Sequence, residues 1–134
     1  MPVALPEPRT PGAALEAYIA ATNTHRFEHV KELLHPQASF WFGDASCHSV
    51  DAAQLYFERA WRIVEDEQYR AHDVQWIATG TEVAVCTYTY HYQGSRDGSP
   101  VTGCGRATNV FVRTDARWAL IHEHLSASPP PAAD

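Results

Sequence analysis

The chain has 134 residues, the scale of one domain, and 45% of them are hydrophobic, enough for one core. Its net charge is −6, with nine arginines, a single lysine (Lys31) and no basic run, which argues against nucleic acid and anionic membranes as partners. No apolar stretch approaches the roughly 20 residues of a membrane span. The first residues lack the charged and apolar regions of a signal peptide. Three cysteines (Cys47, Cys86, Cys104) lack metal-ligand spacing, so reduced thiols in a cytoplasmic protein are the expectation.

Residues 1–11 hold four of the nine prolines and are expected as a loose arm, with 129–134 as a loose tail and 12–128 as the folded domain. From Gly12 to Asn23, Leu15, Tyr18, Ile19 and Ala21 recur at helical spacing. Phe27, Val30, Leu33 and Leu34 repeat the pattern in a short second helix, which Pro36 is expected to stop. Ser39 to Phe42 reads as a short aromatic strand. Asp51 is placed to cap a third helix, with Leu55, Phe57, Ala60, Trp61 and Val64 toward the core.

Beyond Glu67 the period changes. Tyr69 to Ala78 reads as a strand, and Thr79-Gly80-Thr81 as a turn. Val83 to Tyr92 is a long strand with Ala84, Cys86, Tyr88, Tyr90 and Tyr92 on one face. Gly94 to Ser99 is a hairpin loop, and Val101 to Thr114 is a strand with kinks expected at Gly103 and Gly105. Asp115-Ala116 turns into a closing strand, Arg117 to Ser126. Helices followed by an antiparallel meander make an α+β pattern, and a bent sheet around helices forms a cone with an aromatic mouth suited to a small molecule.

The closing strand concentrates the ionisable groups. Strict alternation puts Trp118, Leu120, His122, His124 and Ser126 on one face and Ala119, Ile121, Glu123 and Leu125 on the other. Either face can carry chemistry, because one bulge reverses the parity. His122 and His124 fit a general base, or a metal pair whose third ligand is His91 or Glu123, or hydrogen-bonded residues at a subunit interface. No phosphate loop, dinucleotide fingerprint or Ser-His-Asp motif occurs.

Three passages carry a resemblance to the nuclear transport factor 2-like superfamily, and within it to the SnoaL-like, ketosteroid isomerase-like subgroup. They are Ala17-Tyr18-Ile19-Ala20-Ala21-Thr22-Asn23 with Phe27 and Leu33-Leu34, then Tyr56-Phe57-Glu58-Arg59-Ala60-Trp61. The third is Arg106-Ala107-Thr108 with Arg113-Thr114-Asp115, Trp118 and His122-Glu123-His124-Leu125-Ser126. The resemblance implies a cone-shaped α+β barrel, its N-terminal helices packed on a strongly bent antiparallel sheet, and a homodimer formed through the outer sheet face.

Carried over residue by residue, the resemblance puts Tyr18 where ketosteroid isomerases keep the tyrosine that donates to a developing oxyanion. Their general-base aspartate falls at Phe42, with Asp44 two residues on, and their second acid falls near Thr108 or Asn109. The SnoaL cyclases match at Glu123-His124, but the aspartate that follows in them is Ser126 here. The closing strand and the Tyr56 passage also resemble the association domain of calcium/calmodulin-dependent kinase. Its pocket arginines are Tyr90, Asn109 and Leu125 here, which removes the reason to expect an anionic ligand.

The resemblance further implies that Tyr88, Tyr90, Asn109, Glu123 and Leu125 face the cone interior, with His122 and His124 outside. An apolar wall around Glu123 raises its pKa and suits it to acid–base work, whereas pairing with Arg106 or Arg113 makes it structural. Arg106 either clamps a substrate oxygen or closes a salt bridge. Cys86 reads as core. The aromatics Tyr18, Phe40, Phe42, Tyr56, Trp61, Tyr88 and Tyr90 are mostly core by default, but three tyrosines alternating on one strand each need a hydroxyl partner when buried, and a pocket lined by them suits a flat, polycyclic or aromatic ligand.

Two functions remain open. One is a cofactor-independent acid–base enzyme, of the isomerase, cyclase or hydratase type, for an apolar oxygenated, polyketide- or steroid-like substrate. Its catalytic set is Tyr18, Glu123, His124 and Asn109, its ligand-binding set Phe42, Tyr56, Trp61, Tyr88, Tyr90, Arg106 and Leu125, with no metal and no cofactor. The other is a non-catalytic ligand-binding or oligomerisation domain built on the same cone. An enzyme should keep a pocket group with a shifted pKa beside Tyr18 or Asn109, and a binding module should neutralise its pocket acids with arginines.

Overall fold

A computed structural model describes residues 8–129. Residues 1–7 of the expected arm and 130–134 of the expected tail lie outside the described residues. Within the arm, Pro8 is buried, and its carbonyl accepts a hydrogen bond from the Trp118 N–H at 2.9 Å.

Helix α1 (Pro11–Thr22) starts where Thr10 Oγ1 accepts from the Ala13 N–H at 3.1 Å, with proline in the first turn where its missing N–H costs nothing. Its buried residues Ala14, Leu15, Tyr18, Ala21 and Thr22 follow the helical period. Asn23 then clamps the backbone of Tyr69, donating to its carbonyl at 2.9 Å and accepting from its N–H at 2.7 Å. This pair ties the helix end to the sheet.

Helix α2 (Phe27–Lys31) ends before the proline expected to stop it. Pro36 instead lies inside strand β1 (Leu34–Trp41), where the pairing with the closing strand shifts register between Leu34 and Ser39. A residue without an N–H is tolerated where the ladder is already interrupted. A two-residue strand β2 (Ser46–Cys47) returns antiparallel to β1.

Helix α3 (Val50–Ile63) is capped by Ser49, whose Oγ accepts from the Ala52 N–H at 3.1 Å, and not by Asp51. Asp51 occupies the first turn, where a carboxylate complements the helix dipole. Ala53 and Phe57 are its buried residues. Leu55, expected in the core, is 71% exposed.

Four long strands complete the sheet: β3 (Glu65–Thr79), β4 (Val83–Arg96), β5 (Ser99–Thr114) and β6 (Arg117–Ala127). Their order is β2-β1-β6-β5-β4-β3. The sheet is mixed, because β1 and β6 run parallel while every other neighbour is antiparallel. The β4–β5 loop is shorter than expected. Asp97 and Gly98, both at positive φ (51° and 81°), form a two-residue turn between the paired Arg96 and Ser99.

No bulge marks Gly103 or Gly105, where kinks are expected, since β4–β5 pairing runs unbroken through both. These glycines serve the tyrosines opposite. A Cβ on Gly103 would overlap the Tyr92 ring, and one on Gly105 would overlap the Tyr90 ring and the Ser126 carbonyl oxygen.

The bulge lies in β6. Val110 pairs with His122 and Phe111 with Leu120, so Ile121 is an extra residue. Under strict alternation Leu120 and Glu123 would face opposite ways. With Ile121 inserted both turn inward, at 0% and 2% exposure. Among the described residues no helix is long and apolar enough to cross a membrane.

Candidate active site

Glu123 is the centre of the inner face. Its β5 partner in the ladder is Asn109, and Asn109 in turn pairs with Cys86 on β4, so the three inward residues form one row across the sheet. Tyr88 follows two residues along β4, and Tyr18 comes from the buried side of α1.

Three side chains bond the carboxyl, and a fourth backs one of them. Tyr18 Oη donates to Oε2 of Glu123 at 3.0 Å, and Tyr88 Oη donates to Oε1 at 3.3 Å. The Asn109 amide, oriented with its nitrogen toward Glu123, donates to Oε1 at 3.3 Å and to the Thr108 carbonyl at 3.1 Å. Tyr69 Oη lies 3.3 Å from Tyr88 Oη. With the Tyr88 proton directed at Glu123, Tyr69 is the donor of that pair, giving a chain Tyr69→Tyr88→Glu123.

Burial is the largest influence on Glu123 and pushes its pKa up to about 7, against the opposing effect of hydrogen bonds from Tyr18, Tyr88 and Asn109. The same desolvation, reinforced by the Glu123 charge, holds Tyr18, Tyr69 and Tyr88 well above the usual phenol range. They are therefore neutral donors at physiological pH. Cys86, beside them, is pushed up to about 12 by burial and is inert core.

A cleft of about 320 Å³ opens above this network. Tyr18, Thr22, Tyr69 and Glu123 line it on one side, and Phe42, Tyr56, Phe57, Trp61, Tyr90, Tyr92 and Leu125 supply its apolar and aromatic walls. Phe42 and Tyr56 stack at 3.9 Å between centroids and 5° between planes. Tyr56 Oη donates to Asp44 Oδ1 at 2.7 Å, placing that carboxylate in the lining, and Glu67 adds another.

The expected site residues divide into three groups. Phe42, Tyr56, Trp61, Tyr90, Leu125, Tyr18 and Glu123 line the cleft together. Tyr88 and Asn109 lie beneath it as supports of Glu123. Arg106 and His124 stand on the opposite face of the sheet, lining a separate polar cleft with Thr87, Thr89, Thr108 and Ser126. Both are exposed there, so neither reaches a ligand above Glu123. The expected pairing of Glu123 with an arginine is also absent: Arg113 donates to the Asp115 carbonyl at 3.1 Å. Among the described residues, the ion pair that forms is Arg26–Glu28, exposed and 3.9 Å long.

The histidines face outward. His122 Nδ1 lies 2.8 Å from Ser39 Oγ, and the Trp41 ring stands edge-on to both His122 and His124. Burial, followed by the neighbouring His124, lowers the His122 pKa. Among the described residues no group of three His, Cys, Asp or Glu side chains is arranged to hold a metal.

Tyr69, Tyr92, Asp44 and Glu67 are the polar-headed lining residues, beside Thr22, that the expected site does not contain; Phe57, Ala60 and Gly43 complete the lining. Tyr92 continues the alternating tyrosine row of β4, and Asp44 lies two residues beyond the position where the resemblance expects a base. For Tyr69 the signal is its pairing opposite Tyr92, which exists only in the sheet. Glu67 carries no signal, because β3 begins earlier than its apolar pattern does.

The SnoaL-like domain family matches residues 12–131. Solved structures share the fold. A nuclear transport factor 2-like superfamily protein from Salmonella enterica serovar Typhimurium has a TM-score of 0.80 at 14% identity, covering 89% of this chain and 89% of that one. A protein described as a candidate dehydratase of the same superfamily, from Streptomyces avermitilis, has 0.78 at 24% identity over 89% and 94%. The CaMKII hub of S. rosetta has 0.76 at 15% identity over 94% and 100%. No curated protein matches the sequence. At these identities the structural likeness shows the fold alone.

Proposed function

This chain belongs to the SnoaL-like domain family, and we propose that it is a cofactor-independent acid–base enzyme of the isomerase, cyclase or hydratase type. Its substrate is a largely apolar, oxygenated molecule that lies in the aromatic cleft above Glu123. The observation that carries this reading is a carboxyl at the cleft floor with a pKa of about 7 and no cationic partner among the described residues. A group that titrates near neutrality serves as base and acid within one turnover. A binding module would neutralise that acid.

In this reading Glu123 takes a proton from a carbon next to a carbonyl and returns it to another atom of the same substrate. Tyr18 donates to the carboxylate before transfer. Once Glu123 is protonated, the Tyr18 hydroxyl turns to the developing oxyanion. Tyr88 and Asn109 are positioning residues: they hold the carboxyl in place and, by bonding its charged form, keep its pKa from rising further. Tyr69 fixes the Tyr88 proton in the direction of Glu123.

Proton exchange into an enolisable aromatic ketone tests this. In deuterated buffer the protein should accelerate α-proton exchange of 2-tetralone, with a rate that rises as pH passes through about 7. Glu123→Gln should lower the acceleration by about 10²–10⁴-fold, the usual contribution of a general base. Equal exchange rates for the wild type, the variant and buffer would overturn the reading.

The outer sheet face supports a homodimer. Trp41, 49% exposed, stands beside His122 and His124 there, an aromatic and hydrogen-bonding patch of the kind enriched at interfaces. Sedimentation should give twice the chain mass at micromolar concentration, and a monomer would overturn the assignment. The free thiols of Cys47, Cys86 and Cys104 fit a cytoplasmic location.

A further inference from the structure

The charged side chains lining the cleft all have one sign. Asp44, Glu67 and Glu123 are there, and neither the single lysine nor any arginine or histidine is among the lining residues. Asp44 is exposed, Glu67 half-buried and Glu123 buried, so the acids run from mouth to floor. Asp44 is held in position by the Tyr56 hydroxyl at 2.7 Å, and Tyr56 is held by its stack on Phe42.

Among the described residues the Glu67 carboxylate makes no direct ion pair; burial raises its pKa, and the neighbouring His25 works against that rise. The nearby His25 ring lies on Trp61 at 5.4 Å and 14°, with Nε2 2.9 Å from the Glu67 backbone carbonyl oxygen. The walls between these acids are the rings of Phe42, Tyr56, Trp61, Tyr90 and Tyr92. Aromatic faces carry negative quadrupole potential and attract a cation, most strongly over Trp and Tyr. Each ring that turns its free face to the cleft adds potential of the same sign as the acids, one face of Phe42, Tyr56, Trp61 and Tyr90 being taken up by stacking on another ring. An anionic ligand meets repulsion from both, and a neutral one gains from neither.

We propose that the cleft selects a ligand with a protonated amine or quaternary ammonium at its mouth, between Asp44 and Glu67, and an apolar body reaching toward Glu123. This rests on the reading of the cleft as the substrate site and specifies the substrate class. Placing the cation at the mouth leaves the reacting carbon over Glu123, so specificity and proton transfer occupy opposite ends of the cleft.

A matched probe series separates this from the acid–base reading. Benzyltrimethylammonium, its uncharged carbon isostere neopentylbenzene and the anion phenylacetate would be titrated into the isotope-labelled 134-residue chain by NMR. The ammonium should bind at least tenfold tighter than the isostere, with phenylacetate weakest, and shifts should concentrate at Trp61, Tyr90 and Tyr92. In the double variant Asp44→Asn/Glu67→Gln the preference for the ammonium should fall at least threefold, with the isostere unchanged.

Equal or tighter binding of the isostere or of phenylacetate, no binding of any probe, or an unchanged preference in the variant would overturn the proposal. None of these results bears on the 2-tetralone exchange assay, which carries no cation. Should the double variant unfold by circular dichroism, the salt dependence of wild-type binding decides. The ammonium advantage should shrink at least threefold between low and molar salt, and a salt-independent advantage would count against the acids.

Discussion

The phenolic oxygen of Tyr18, on α1, lies 3.0 Å from Oε2 of Glu123, on β6, with both side chains buried. This bond joins positions 105 residues apart and links the helical layer to the sheet at the floor of the cleft. It also favours the charged form of Glu123, against the larger effect of burial.

Stability should fall as pH rises through the range in which Glu123 ionises. Its pKa is about 7 in the folded chain, against 4.5 as the ordinary value. A raised folded pKa means the native state holds the proton more tightly, so the contribution is fully present below about pH 4.5 and lost by about pH 7. The gap corresponds to on the order of 3 kcal/mol, at about 1.4 kcal/mol per pH unit. Urea denaturation of Glu123→Gln should show a flatter pH dependence than the wild type and greater stability above neutrality. Parallel profiles for the two proteins would exclude Glu123 as the source.

Tyr18→Phe removes a donor to the charged form of Glu123, and that donor opposes the effect of burial. The Glu123 pKa should therefore move above 7, visible in the pH titration of its side-chain carboxyl carbon by NMR. Above neutrality the variant should lose about 1–3 kcal/mol, the usual range for a hydrogen bond to a buried charge. An unchanged or lowered pKa would contradict the assigned network.

Gly105→Ala should cost more than Gly103→Ala. At Gly103 the obstruction to a methyl group is the Tyr92 ring, a side chain that can turn outward. At Gly105 the Ser126 carbonyl oxygen joins the Tyr90 ring, and backbone in a paired strand does not yield so readily. Thermal denaturation should place Gly105→Ala about 1–3 kcal/mol below the wild type, in the range of overpacked cores, with Gly103→Ala affected less. The reverse order would mean the strand gives way before the ring does.

Much of the architecture follows from local pattern. Helical spacing in α1 buries Tyr18, alternation in β4 aligns Cys86, Tyr88, Tyr90 and Tyr92, and the change of period after α3 announces the sheet. These signals come from neighbours in the chain, so they are visible before folding. The inward orientation of Glu123 is different. Alternation counted back from His124 places Glu123 opposite Leu120, yet both are buried, because Ile121 is accommodated as a bulge only once β6 pairs with β5. A register shift is a property of two strands, and one strand's residues do not encode it.

The partners of Glu123 are of the same kind. The sequence offers Arg106 or Arg113, on the preceding strand, as a structural partner. The folded chain supplies two tyrosines and an asparagine instead, while Arg106 turns to the far face. Tyr69 shows the limit most clearly: nothing near it in the chain marks it, and its place in the network comes from β3 lying beside β4. Composition and periodicity establish the helices, the sheet and its aromatic lining. Which carboxyl faces inward, and whether phenols or guanidinium groups surround it, depends on distant segments packing together, because burial and hydrogen bonding act through space.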